Sequence, residues 1–228
     1  SLLRVLPPFI LILLFFPACT GEEPAVHSVR YYTIASYNPV TSERSEALSL
    51  FLHVSHADSV KLLDEWTISH DDSQLHWTEE ANSWERRSWD SRTWIGSSSL
   101  RAPDREAIPR GRYSVRVVDR GGRESVSEFE LRTLDFDLSN ADFPEVVRAE
   151  APDGESARWT VEHSGDRVFA TFIDEAGKIL GRREIDNREL HPGDFDFAGT
   201  AEREAATVFL HELRQRSEVW LVSGPWSL

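Results

Sequence analysis

Cysteine is almost missing from this chain: Cys19 is the only one in 228 residues. A single thiol excludes an internal disulfide, a cysteine-ligated zinc and dithiol chemistry, so the fold has to rely on a packed core. Methionine is absent, so the expectation is a translated start upstream of Ser1, and lysine occurs only as Lys61 and Lys178 against 23 arginines. Positive charge is short overall. The 25 basic residues face 39 acids, for a formal net charge of −14. That balance argues against nucleic acid as a partner and against adhesion to anionic headgroups by charge. A long hydrophobic run is lacking too: Phe9 to Phe16 is apolar throughout, well short of the ~20 residues of a spanning helix.

Catalytic signatures are equally scarce. His211-Glu212-Leu213-Arg214-Gln215 misses the zinc-protease pattern, with Gln215 where the second histidine is needed. Gly96-Ser97-Ser98-Ser99 lacks the second glycine of a nucleophile elbow. Gly121-Gly122 is turn chemistry without a following helix to cradle a phosphate. The histidines invite a metal reading, His53 with His56 or His70 with His76. Positions 53 and 56 on a strand point to opposite faces, while His70 and His76 are placed across a hairpin. The pairs Asp135/Asp137 and Asp194/Asp196 lack the remaining ligands of a calcium loop and read as solvated acids. The expectation is a protein that is not an enzyme, with no metal and no cofactor beyond a covalent lipid. An unrecognised hydrolase is the second alternative.

What is present begins with the leader. Arg4 precedes an apolar core interrupted by Pro7 and Pro8, and the run ends at Phe16-Pro17-Ala18-Cys19. A charged start, a short apolar core and a small residue at the cut mark a secretory signal. Ordinary cleavage before Cys19 would put the bulky Phe16 where a small residue is needed. The segment Phe16-Pro17-Ala18-Cys19 resembles the lipobox of bacterial lipoproteins, in the relaxed form of spirochaete ones. It departs from the commoner pattern at Phe16 and Pro17. The resemblance implies a signal peptide over 1–18, a diacylglyceryl group on Cys19, a tether over 19–26, and anchoring to a membrane of the bacterial envelope on its periplasmic or outer face. Two or three acyl chains hold a protein durably where one does so marginally. An uncleaved anchor and simple secretion are the alternatives.

The rest reads as strands. Leu48, Leu50, Leu52 and Val54 alternate with Ser49, His53 and Ser55, with Phe51 off the pattern, as a half-buried strand requires. Trp66, Ile68 and His70 share one side of a strand that turns at Asp71-Asp72-Ser73 towards Leu75 and Trp77. Thr78 to Trp94 shows neither period and reads as a loop with one helical turn around 83–89. Pro109-x-Gly111-x-Tyr113-x-Val115-x-Val117-x-Asp119-x-x-Gly122 then leads into a hairpin. This pattern resembles the closing hairpin of bacterial immunoglobulin-like and fibronectin-III-like domains, which implies a β-sandwich and no particular ligand.

The expected fold is all-β, one or two immunoglobulin-like sandwiches behind the leader: one over 27–134, a connection over 135–154, and a second, smaller β-rich domain over 155–228. Residues 201–214 fit a helix or a strand, and the strand is favoured because Val219 to Val222 stands ready to pair with it. Gly224-Pro225 is expected to end that last element.

One cluster offers a binding site. Trp77, Trp84, Trp89 and Trp94 fall within 18 residues, with Arg86 and Arg87 between them. Exposed, such rings make a stacking platform for sugars or a hot spot for a protein. Folded inward, they plug a core. The function expected is non-covalent recognition by an envelope protein-interaction or structural module, its partner an unknown envelope protein. A carbohydrate-binding module using the tryptophans is the alternative.

Overall fold

Leu48, Leu50, Leu52 and Val54 project from one side of β2 (Glu43–Ser55) and are all buried. They meet Trp66 and Ile68 of β3 (Leu63–His70) and Val115 and Val117 of β7 (Gly111–Asp119), so alternate residues of facing strands close a single core. The computed structural model describes residues 23–56, 60–103, 107–132, 137–149, 158–164, 167–185, 189–190, 207–214 and 219–227. The leader, Cys19, Asp135, the Asp194/Asp196 pair and Gln215 lie outside them.

Eight strands build the first sandwich. One sheet runs β1 (Ala25–Asn38), β2, β6 (Arg92–Leu100), β5 (Glu85–Trp89); the other runs β4 (His76–Glu80), β3, β7, β8 (Glu124–Leu131). This is the Greek-key strand order of an immunoglobulin-like sandwich. Two side-chain features of that class recur. Trp66, fully buried, sits on the third strand, and the Tyr113 hydroxyl donates to the Pro109 carbonyl at 2.7 Å, tying the seventh strand to the chain before it. The hairpin turn between β7 and β8 uses Gly122 at φ 79°, as its sequence foretells. His56 and Asp119 close that end of the core, with Asp119 accepting from His56 at 3.0 Å and from Gly121 and Arg123. The bond from His56, followed by those from Arg123, holds the Asp119 carboxyl far below the usual carboxylate range.

The strand order repeats on a smaller scale after residue 144. β9 (Glu145–Ala149), β10 (Arg158–Glu162) and β13 (Glu189–Leu190) form one sheet. It faces β12 (Ile179–Glu184), β11 (Arg167–Ile173), β14 (Thr207–Arg214) and β15 (Val219–Ser227) across a core of Val161, Leu190, Val168, Phe172 and Leu210. The last strand then pairs in parallel with the first, Thr33 to Tyr37 against Val219 to Ser223. One eight-stranded sheet, β12-β11-β14-β15-β1-β2-β6-β5, therefore runs through both sandwiches.

Several expectations need correction. Residues 78–94 are the rest of β4, then β5 and the start of β6, with no helical turn. The segment Glu85-Arg86-Arg87-Ser88-Trp89 hides its strand character because it is a largely exposed edge strand. The connection over 135–154 contains β9, whose Val146-Val147 pair is too short to stand out among acids and prolines. β1 begins at Ala25, inside the stretch read as tether. β15 continues past Gly224-Pro225 to Ser227, accommodated by a register shift between Val208 and Leu210 on the neighbouring strand. The strand reading of β14 holds.

Candidate recognition face

Alternation that sends Leu48, Leu50 and Leu52 inward sends Ser49, Phe51 and His53 to the outer side of the long sheet. Phe51, off the hydrophobic pattern, is nevertheless only 2 % exposed. Trp89 meets it edge-on at 5.0 Å, and the Arg87 guanidinium lies over its ring at 4.7 Å. The cluster continues sideways. Trp89 and Trp94 are 5.7 Å apart, Arg30 from β1 lies 4.6 Å over Trp94, and His53 packs beside Trp94 at 5.6 Å. Gly96 stands in the row between Phe51 and Glu85, so Arg87 reaches Phe51 across a position with no side chain. Ion pairs from Arg30 to Asp90 and from Arg87 to Glu85, both 2.8 Å, pin the guanidinium groups over the rings.

A second cluster of the same kind sits on the same sheet in the other sandwich. Arg182 lies 4.6 Å over Phe169 and 5.7 Å over Trp220, and Arg167 lies 5.1 Å over Phe169 while holding Glu184 through two bonds. His211 shares this face and bonds to Thr171 at 3.1 Å. Burial, then the charge of Arg182, lowers its pKa to about 4, so the ring is neutral at physiological pH. Each cation–ring contact is worth about 0.5–1 kcal/mol at exposed sites. Between the clusters run Tyr32, 38 % exposed, with Ile34, and a depression of about 430 Å³ lined in part by Ser36, Ser45, Arg101, Phe209 and Val222.

The face is also distinct in charge. Arg30, Arg87, Arg92, Arg167 and Arg182 outnumber Glu43, Glu85, Asp90 and Glu184 there, in a chain whose formal net charge is −14. The far side of the first sandwich presents Glu65, Glu80, Glu124, Glu128 and Glu130 against Arg112 and Arg116 instead. Among the described residues, the outer face of the long sheet combines aromatic area with an excess of positive charge.

The structure divides the tryptophan cluster. Trp84 is buried in the first core and donates to the Glu79 carbonyl, and Trp77 packs against that core, donating to Arg101 and stacking on Tyr113. Trp89, Trp94 and Arg87 belong to the outer face, while Arg86 alternates away from them and is exposed. Trp84, Trp89 and Trp94 therefore do not share a platform. Sequence reasoning missed Arg30, Phe51, Phe169, Arg182 and Trp220; Phe51 breaking its strand's pattern and the two-sided apolarity around Phe169 were the available signals.

The metal and catalytic readings find no support in the geometry. His70 bonds to Ser73 and Arg110 rather than facing His76, and His76 pairs across the hairpin with Ser69. Among the described residues no group of three metal-ligating side chains occurs. Asp137 accepts from Ser139 and Asn140, which caps a short turn. His211 and Glu212 are neighbours on a strand, one facing out and the other buried, whereas the zinc-protease arrangement needs a helix. Among the described residues no helix is long and apolar enough to cross a membrane.

The architecture defines an immunoglobulin-like β-sandwich protein. No family model and no curated protein matches the sequence. Among solved structures, the chain is similar to a biofilm-associated protein BSP domain at 13 % identity and TM-score 0.27, over 90 % of this chain and 28 % of that one. It is also similar to dimeric latent PorU from Porphyromonas gingivalis, at 12 % identity and TM-score 0.29, over 90 % of this chain and 20 % of that one. A third likeness is to the Dpr11 IG1 structure bound to DIP-gamma IG+IG2, at 13 % identity and TM-score 0.22, over 89 % and 99 % of the two chains. The chain thus spans less than a third of the first two. The immunoglobulin-like class follows from the strand order of the two sandwiches.

Proposed function

We propose that this protein is a non-catalytic recognition module of the bacterial envelope, anchored by lipid on Cys19, that binds a protein partner through the outer face of its eight-stranded sheet. The observation that carries the reading is the continuity of that face, with arginine–aromatic clusters in both sandwiches and apolar surface between them. Aromatic and arginine side chains at the centre of a flat surface are the usual anchors of protein interfaces. A glycan platform built on the three tryptophans is less well served, because Trp94 is 2 % exposed and Trp84 lies inside the core, leaving Trp89 alone of the three for ring stacking. The acidic body leaves attachment to the lipid, and neither nucleic acid nor a further cofactor enters the proposal.

Capture from native envelopes tests it. The doubly substituted Trp89→Ala, Trp220→Ala protein is expected to lose partner recovery by about tenfold or more. Val126→Lys, on the far face, is expected to keep it, with both variants folded by circular dichroism. Equal recovery by wild type and the double variant contradicts the reading.

A further inference from the structure

Two buried nitrogens on the outer face have no hydrogen-bond partner, and they belong to neighbouring residues. Trp94 Nε1 and His53 Nδ1 are both enclosed and unpaired. The register that sets Leu52 against Ile95 places His53 beside Trp94 across the β2–β6 pair. An indole nitrogen only donates, and His53 Nδ1 donates in the tautomer that carries its proton there, so in that tautomer an acceptor is what the pair lacks. Leaving such donors unpaired is unfavourable in a folded protein. The remaining enclosed orphans, Trp66 Nε1 and Glu212 Oε2, lie on the inner sides of their sheets, away from any partner surface.

We propose that His53 and Trp94, roofed by the Arg30 guanidinium, form a receptor for an acidic side chain of the protein partner, and that Asp90 is its internal stand-in. The proposal rests on the outer face being the recognition surface and names the chemistry it recognises. Arg30 covers Trp94 at 4.6 Å and is held there by Asp90 at 2.8 Å. Both ends of that ion pair are exposed, 42 % and 72 %, so it is screened and readily exchanged. An incoming carboxylate replaces Asp90 on Arg30 like for like, and as the arginine swings with it, the oxyanion meets the indole and imidazole N–H groups. Arg92, on the same face, adds positive charge beside His53. Burial, with His27 and Arg92 after it, lowers the His53 pKa and so favours the neutral ring.

The turn that carries Asp90 sets where its carboxylate stands. Asp90 and Ser91 both adopt positive φ, 51° and 61°, in a two-residue hairpin turn whose first position favours asparagine and aspartate. An aspartate held in that conformation directs its carboxylate at Arg30, which asparagine would do without charge.

The test uses the 15N-labelled full chain, following the indole N–H resonance of Trp94, assigned by Trp94→Phe. The probes are acetylated hexaglutamate, hexaglutamine and hexagalacturonate. Hexaglutamate is expected to shift the resonance and hexaglutamine to leave it in place. Asp90→Asn keeps the turn and removes the competing charge, and should bind hexaglutamate about threefold more tightly; Arg30→Gln should abolish the shift. A merely structural Arg30–Asp90 pair predicts no gain from Asp90→Asn. The proposal is overturned by an unmoved resonance, by unchanged or weaker binding in Asp90→Asn, or by a shift with hexagalacturonate alone. If envelope capture still depends on Trp89 and Trp220 while the resonance stays fixed, the receptor fails and the recognition face stands. If neither responds, both fail.

Discussion

Trp66→Ala is expected to lower the free energy of unfolding by about 3–5 kcal/mol, read as a shift of the urea midpoint at unchanged slope. Trp66 is among the largest fully buried side chains, and it fills the space between the two sheets of the first sandwich. Its neighbours Ile68, Val115 and Val117 are held by ladders on both sides of β3 and β7, so they have little freedom to collapse into the void. The indole nitrogen has no partner, which separates two causes of the loss. Trp66→Phe removes no hydrogen bond and part of the volume, and should cost less than half of what alanine costs. Equal losses from phenylalanine and alanine would mean that the indole makes a bond the packing argument leaves out.

Gly96→Val is expected to cost about 3 kcal/mol or more, and to leave little folded protein. A Cβ at Gly96 would stand 2.0 Å from the Leu50 carbonyl oxygen and 2.7 Å from the Phe51 Cα. Both are backbone atoms of the central strand β2, so no rotamer change relieves the clash, and β6 has to leave β2. Separation there opens the first core at Leu50 and Leu52 and disperses the ring cluster on the other side. Gly122→Asn is the control. Its position has a positive φ of 79° that asparagine tolerates, and nothing lies within 4 Å of an added Cβ. A melting temperature for Gly96→Val close to that of Gly122→Asn would contradict the close approach of β2 and β6.

Much of the fold was legible because local signals agreed with it. The period-2 run of β2 and the Pro109–Gly122 pattern each placed strands and turns where they occur. Edge strands were not legible. β5 buries little, so its sequence is free of the alternation that a half-buried strand needs, and the short β9 carries only Val146 and Val147 as an apolar signal. The shared sheet was invisible for another reason. Pairing of Ile34 with Trp220 joins the two ends of the chain, and no local pattern encodes a contact of that separation.

The recognition face was half legible. Trp89, Trp94 and Arg87 drew attention by proximity in sequence, yet proximity also swept in Trp77, Trp84 and Arg86, which strand alternation sends elsewhere. Arg30 joins the face from 60 residues away, as its pairing with Asp90 shows. Arg182, Phe169 and Trp220 assemble only once four strands of the second sandwich are in register. Charge adds what aromatic content alone did not reveal: in an acidic protein, arginines outnumber acids on this face. A surface of that kind favours an acidic, partly apolar partner and steers its approach.

Site-specific photo-crosslinking in intact envelopes tests the central claim most directly. A benzophenone amino acid replaces Tyr32, 38 % exposed in the middle of the outer face, or Val126, 57 % exposed on the far side of the first sandwich. Recognition through the outer face predicts a discrete crosslinked protein adduct from position 32 and none from position 126. Adducts from position 126 alone, or equally from both, would contradict it.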